Sequence, residues 1–221
     1  MAAITTITTE RFLQFWSKVT DDLCVHPDDA AMLCDNRHRL ETIGPFMGKI
    51  KTAPVVFLTL NPGSSGVESR EAQTPSVREG MKRILGGDAP LPSFETNREG
   101  RKWTQRILTQ FGVRYESAAD KVAFINLVPY RSKGFTDHKL ITRLHSVSMV
   151  RRWTQDTLFR EARAGERIVV CIVAHERWGL QPGTTQGVSL FSPQCGSRQY
   201  ILKLGPDREK IGQLIRRAVF G

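Results

Sequence analysis

Two asparagines stand where apolar stretches of the sequence give way to loops. Asn61 follows the run PVVFLTL and opens the turn sequence NPG, and Asn126 interrupts the run VAFINLV. A carboxamide offers one acceptor and two donors, which can match the edge of a pyrimidine base. Each residue also has a structural explanation. Asn-Pro-Gly turns are common, and a buried amide must bond its neighbours because leaving it unpaired costs about 1–3 kcal/mol.

A histidine and a serine follow two further apolar runs. His175 comes directly after RIVVCIVA, and it can act as an acid, a base or a hydrogen-bond donor because it titrates near neutral pH. Ser192 follows VSLF, and its hydroxyl and the nearby amides can bind phosphate. A helix cap or a solvated side chain explains His175 equally well, and Ser-Pro loops such as Ser192-Pro193 are common.

Short apolar runs rich in β-branched residues predict the strands that carry these side chains. These strands are Pro54–Leu60, Val122–Val128, Arg167–Ala174 and the short pair Val188–Phe191 and Gln199–Leu204. Helical patterns cover Glu10–Asp22, Asp28–Leu40, Ser76–Leu85, Arg98–Phe111, Asp137–Arg163 and Asp207–Val219. Together they predict an α/β fold, a three-layer αβα sandwich with a central, mainly parallel four-stranded sheet. Ligands of such sheets bind beyond the carboxyl ends of the strands.

Length and composition predict one domain over residues 1–221, with a helical part over residues 1–50 packed on it. The sequence has no apolar run near the ~20 residues of a membrane span and no secretion signal, so we expect an intracellular protein of the cytoplasm or nucleoid. Four cysteines without a CxxC pair are typical of a reduced protein, and we expect neither a metal nor another cofactor.

Positive charge is concentrated in the last two-fifths of the chain. Residues 1–130 hold 16 Lys and Arg against 15 Asp and Glu, whereas residues 131–221 hold 16 against 7. Such an excess is typical of a protein that binds a phosphate backbone. A basic surface that serves solubility is the alternative, and charge alone does not decide between them.

The order of two motifs resembles the uracil-DNA glycosylase superfamily. FLTLNPG is followed about 65 residues later by FINLVPYRS, and each motif closes a predicted strand. The similarity is nearest to the mismatch-specific and single-strand-selective branches, whose first motif is G-x-N-P-G. In the single-strand-selective branch the second motif is an Asn with a Pro three residues later, as Asn126 and Pro129 stand here. The resemblance covers roughly residues 54–198.

This resemblance implies a monofunctional DNA glycosylase that removes a flipped uracil or modified pyrimidine in base-excision repair. It implies that Asn61 positions the attacking water and that Asn126 reads the base. Phe94 is the predicted stacking aromatic, and Pro62 and Gly63 are further substrate contacts. DNA is the expected partner of a monomeric protein, and its predicted contacts are Ser64, Arg131, Ser132, Lys133, Ser192 and Arg198.

The chain departs from the family at the fourth strand. Many members carry His-Pro-Ser-Pro there, and that histidine stabilises the leaving base. Aligning Ser192-Pro193 with the Ser-Pro places Leu190 where the histidine would be. The mismatch-specific branch also lacks this histidine, and His175 is the predicted substitute. Because of this departure, the sequence does not decide which base is excised, and the candidates range from uracil to a bulkier modified pyrimidine.

Two other classes of function fit such a fold. A catalytically inactive module with the same fold would bind nucleic acid with a steep salt dependence and leave no abasic sites. A hydrolase or transferase acting on a nucleotide or small phosphorylated molecule would carry a P-loop, a G-x-G-x-x-G or a G-x-S-x-G motif, and the sequence has none of them. It also lacks the HExxH motif of metal-dependent hydrolases.

Overall fold

A computed structural model of the chain describes residues 6–19, 24–34, 40–63, 74–93, 97–132, 141–196 and 200–221. Within these ranges, six strands form one mixed β-sheet and two more form a small antiparallel ribbon. In chain order the strands are β1 Leu40–Ile43, β2 Phe46–Met47, β3 Val55–Thr59, β4 Val122–Asn126, β5 Tyr130–Ser132, β6 Ile168–Cys171, β7 Thr184–Gln186 and β8 Leu190–Ser192. The ribbon consists of β1 and β5.

The helices of the described residues lie between these strands and at both ends. They are α1 Thr9–Trp16, α2 Ala30–Leu33, α3 Pro75–Leu85, α4 Arg98–Thr109, α5 Tyr115–Ala118, α6 His145–Trp153, α7 Phe159–Ala164, α8 His175–Trp178 and α9 Pro206–Phe220. A π-helical turn, Thr154–Leu158, joins α6 to α7. No helix of the described part is both long and apolar enough to cross a membrane.

The centre of the sheet consists of four neighbouring parallel strands in the order β4, β3, β6, β8. All four come from segments predicted as strands. The prediction of a four-stranded sheet is nevertheless wrong, because β2 and β7 add an antiparallel strand at each edge. The sequence does not indicate these two strands, since β2 has only two residues and β7 reads Thr-Thr-Gln.

Helices cover both faces of the sheet. Successive side chains of a strand point to opposite faces, so a strand made of apolar residues must be covered on both. Val56 and Leu58 of β3 belong to the core beneath α1, α6 and α7. Val55 and Phe57 of the same strand belong to the core beneath α4, α5 and α9. The continuous apolar runs of the sequence therefore correspond to strands buried on both sides.

Two predicted elements are corrected by the structure. The helix predicted over Asp28–Leu40 is a short 3₁₀ turn at Pro27–Asp29 followed by α2, and Leu40 already belongs to β1. Pairing of β1 with β5 overrides the local helical pattern there. Residues 1–50, predicted to be helical, also contain the strands β1 and β2. In the described part of the predicted strand Gln199–Leu204, Leu202 forms only an isolated bridge with Cys195.

Asp29 fastens the N-terminal segment to the rest of the domain. Its carboxylate is fully buried and accepts the backbone N–H groups of His145 and Ser146 at 2.7 and 3.3 Å. The Tyr130 hydroxyl donates to the same carboxylate at 2.5 Å and accepts the His26 N–H at 3.4 Å. The carboxylate therefore caps α6, where the helix dipole favours negative charge, and ties α6 to β5.

Replacing Tyr130 by Phe is expected to lower the free energy of unfolding. The change leaves the buried Asp29 carboxylate with one donor fewer, which costs about 1–3 kcal/mol. Urea unfolding measures this loss, and the matched control Tyr200→Phe changes a half-buried tyrosine, with an expected effect within about 0.5 kcal/mol. Equal stabilities of the wild type and Tyr130→Phe would contradict this account of how the N-terminal segment is held.

Candidate active site

The carboxyl ends of β3 and β4 meet at Thr59. This buried residue lies opposite Asn126 in the parallel register. Its hydroxyl lies 2.6 Å from Asn126 Oδ1 and 2.8 Å from the Ile125 carbonyl oxygen. Its own carbonyl accepts the Leu127 N–H and the indole N–H of Trp178, both at 3.2 Å. Thr59 therefore joins the ends of two strands to helix α8.

The Asn126 side chain is 4% exposed and held in one orientation. Its Nδ2 donates to the Gly44 carbonyl oxygen at 2.7 Å, and a carbonyl can only accept. The amide nitrogen therefore faces Gly44, and Oδ1 faces the Thr59 hydroxyl. These bonds use one hydrogen on Nδ2 and one lone pair on Oδ1, so both a structural role and a binding role fit this residue. Among the described residues, nothing further bonds this amide within hydrogen-bond distance, which leaves one donor and one acceptor on it for a ligand.

Gly44 brings the two sequence motifs together. Its N–H donates to the Pro129 carbonyl oxygen at 2.6 Å, while its carbonyl accepts from Asn126. A Cβ on Gly44 would lie 3.3 Å from Pro62 Cγ and 3.3 Å from Arg131 Nε. The NPG turn after β3 and the NLVPYR segment after β4 thus approach each other across a residue without a side chain. Gly44 lies outside both motifs, which is why sequence reasoning missed it.

Asn61 emerges at the same edge of the sheet as Asn126. The Val128 N–H donates to the Leu60 carbonyl oxygen at 2.7 Å, so the pairing of the two segments continues to the residue before Asn61. Asn61 is exposed, and Pro62 behind it is buried. The structure therefore brings the two predicted asparagines to one edge of the sheet, where Asn61 is exposed and Asn126 is buried.

His175 and Ser192 meet at the carboxyl ends of β6 and β8. The Nδ1 atom of His175 lies 2.8 Å from Ser192 Oγ. Ser192 is 1% exposed, whereas His175 is half-buried. Burial lowers the pKa of His175 below its usual 6.5, because desolvation disfavours the charged ring. The imidazole is therefore neutral at neutral pH.

The Ser192 hydroxyl determines which nitrogen of His175 carries the hydrogen. A buried hydroxyl hydrogen needs an acceptor, and His175 Nδ1 lies within hydrogen-bond distance of the hydroxyl oxygen. We therefore expect Nδ1 to accept this hydrogen and Nε2 to carry the single N–H of the neutral ring. An imidazole in this form can donate a hydrogen bond to an oxygen that gains negative charge.

A strained turn and a buried indole hold His175 in place. Ala174, the residue before it, has φ 58° and ψ 37°, a left-handed conformation that costs roughly 1–2 kcal/mol for a residue with a side chain. Trp178, fully buried at the other end of α8, donates to Thr59. The short helix therefore spans from the end of β8 to the end of β3. Such strain is concentrated at functional sites in proteins.

Several predicted site residues lie outside the part of the chain that the structure describes. These are Ser64, Phe94, Lys133 and Arg198. Ser132 pairs with Leu40 through its backbone in the β1–β5 ribbon. The roles predicted for these residues, and the phosphate contact predicted for the buried Ser192, stay predictions. Within the described ranges, no group of three or more His, Cys, Asp or Glu could hold a metal ion.

Comparison of the chain with protein-family models, curated proteins and solved structures found no match. What the protein does must therefore be inferred from its two motifs and from the geometry at the strand ends.

We expect His175 to carry its hydrogen on Nε2 and to titrate below pH 6.5. Long-range ¹H–¹⁵N NMR spectra distinguish the two neutral forms of the ring and follow its titration. Ser192→Ala removes the donor to Nδ1 and should produce a mixture of the two forms, whereas Ser192→Thr keeps the hydroxyl and serves as the matched control. A wild-type ring with its hydrogen on Nδ1, or a spectrum that Ser192→Ala leaves unchanged, would contradict the assignment.

Proposed function

We propose that this protein is a DNA glycosylase that hydrolyses the N-glycosidic bond of uracil or a modified pyrimidine flipped out of DNA. The observation that carries the proposal is the Asn126 amide. It is fixed by Thr59 and Gly44 at the edge where Asn61 emerges, and it keeps one donor and one acceptor for a ligand.

The remaining bonding positions of Asn126 suit a pyrimidine edge. Uracil presents an N–H next to a carbonyl oxygen, so Oδ1 can accept from the first while Nδ2 donates to the second. A fixed amide gains selectivity, because a base with the opposite pattern leaves buried polar groups unpaired at about 1–3 kcal/mol. Flipping a base costs a few kcal/mol of unstacking, and contacts of this kind offset that cost.

In this proposal Asn61 orients the attacking water. In the reaction, the bond between C1′ and the base nitrogen breaks, its electron pair leaves with the base, and the sugar becomes cation-like. Water then forms the new bond to C1′ and loses a proton to solvent. An amide is a poor base, but a cation-like sugar needs a correctly placed water more than a strong base. The exposure of Asn61 leaves its side chain accessible for this role.

His175 supplies the stabilisation of the leaving base. Its Nε2–H, fixed by the bond between Nδ1 and Ser192, can donate to the base oxygen as negative charge accumulates there. A neutral ring does this without first taking up a proton, in agreement with the lowered pKa. In this proposal His175 replaces the histidine that the superfamily carries after the fourth strand.

The bond between His175 and Ser192 also raises the question of a serine hydrolase. A nucleophilic serine must reach its substrate, and Ser192 is 1% exposed. It bonds Nδ1 of the ring, the nitrogen that an orienting carboxylate binds in a Ser-His-Asp triad. Ser192 is therefore better suited to positioning His175 than to attacking a substrate.

The test uses oligonucleotides that carry uracil, mismatched thymine or modified cytosines, followed by alkaline cleavage of abasic sites. We expect cleavage at one class of base, and a loss of about 100-fold or more in the excision rate of Asn61→Ala, because a misplaced water costs that much. The control is Asn97→Ala, which removes the N-terminal cap of α4.

Each outcome of this test decides between the functions. Excision by the wild type and Asn97→Ala, with loss in Asn61→Ala, supports the glycosylase. Oligonucleotide binding without abasic sites on any substrate would instead indicate the catalytically inactive module. Cleavage that persists in Asn61→Ala would assign the chemistry to another residue.

A further inference from the structure

A second feature of the described residues is a cavity of about 430 Å³ between α1 and α6. Arg11 of α1, Lys18 just after α1, and His145 and Arg152 of α6 line it, and Asp28 is the one acid among the described lining residues. Three permanent cations thus face one carboxylate. The Lys18 ammonium lies 4.0 Å from Asp28. The described lining residues carry two more permanent positive charges than negative ones.

Aromatic packing fixes the two helices that carry these cations. Phe12 and Trp153 stack with ring centroids 4.0 Å apart and an interplanar angle of 10°. The Trp153 indole N–H donates to Thr9 Oγ1 at 3.4 Å. Arg11 and Arg152 are the chain neighbours of the two stacked rings. Arg11 and Arg152 therefore project from two helices that are packed against each other, so binding orders few groups besides their own side chains.

The positive charge of the cavity comes from side chains and not from the end of α6. The buried Asp29 carboxylate already accepts the first backbone N–H groups of that helix, those of His145 and Ser146. Any further anion must therefore bind the exposed Arg11, Lys18 and Arg152.

The same carboxylate connects the cavity to the candidate active site. Tyr130, four residues after Asn126, donates to Asp29, and Asp29 accepts from His145 at the cavity wall. Four extended residues span at most about 14 Å, so the cavity lies a short distance along the chain leaving β4.

We propose that this cavity binds the phosphodiester backbone of the nucleic-acid strand that flanks the flipped base. This inference rests on the proposed function and adds a contact surface that the sequence did not indicate, since Arg11 and Lys18 lie in the near-neutral first part of the chain. Arg11, Lys18 and Arg152 neutralise the phosphates, and the exposed Gln14 and Ser148 add hydrogen bonds to phosphate oxygens.

The test measures the binding of a labelled single-stranded oligonucleotide without uracil, by fluorescence anisotropy over a range of salt concentrations. Each phosphate contact on a single strand contributes roughly 0.7 to the slope of log Kd against log salt. We expect the double variant Arg11→Gln/Arg152→Gln to reduce that slope by about 1.5. Both residues are exposed, and thermal unfolding checks that the variant folds.

The matched control is Arg106→Gln/Arg217→Gln, which removes two exposed arginines from α4 and α9 on the opposite face of the sheet. It should leave the slope unchanged. An unchanged slope in the Arg11/Arg152 variant, or an equal loss in the control, would overturn the proposal. The first result would leave an acidic protein as the alternative partner.

A free phosphate compound is the other source of the same chemistry. Titration with inorganic phosphate at constant ionic strength, followed by NMR of His145, separates the two sources. The proposal would be overturned if the His145 signals shifted to saturation with phosphate while the Arg11/Arg152 variant left the slope of log Kd against log salt unchanged. That result would assign the cavity to a small phosphate compound. Because the oligonucleotide carries no uracil, the slope tests the cavity even if no base is ever excised.

Discussion

The hydrogen bonds of Thr59 are the constraint on which the candidate site depends. Its hydroxyl fixes the Asn126 amide, and its carbonyl binds both the chain that continues from β4 and the indole of Trp178. One buried residue thus sets the orientation of the Asn126 amide and the position of the helix that begins with His175. The parallel register of β3 and β4 makes this possible, because it places Thr59 and Asn126 side by side at their strand ends.

At this edge of the sheet, contacts between groups far apart in the sequence determine what those groups can do chemically. Ser192, buried at the end of β8, leaves His175 with its hydrogen on Nε2, and burial keeps the ring neutral. Gly44 allows the turn after Asn61 to approach the chain after β4. The result is a fixed amide, an exposed amide and a neutral hydrogen-bond donor, which suits a reaction in which a base leaves with negative charge.

The sequence predicted the four parallel strands because their signal, a short apolar β-branched run, is local. It also predicted that Asn61 and His175 follow strands and that Asn126 interrupts an apolar run near the end of one. It missed the edge strands β2 and β7, which are too short or too polar to form such a run. Thr59 and Gly44 are ordinary residues in the sequence, and their roles arise only from contacts with distant segments. The bond between His175 and Ser192 likewise requires β6 and β8 to be neighbours.

The most direct measurement follows the side-chain amide signals of Asn126 by NMR while an oligonucleotide is added. The oligonucleotide carries uracil on a 2′-fluorinated sugar, which resists cleavage because fluorine disfavours positive charge at C1′. If the fixed amide reads the base, these signals shift on binding, and a matched oligonucleotide without the uracil leaves them in place. Signals that stay unchanged while the protein binds the uracil oligonucleotide, and likewise its modified-pyrimidine counterparts, would contradict the central claim.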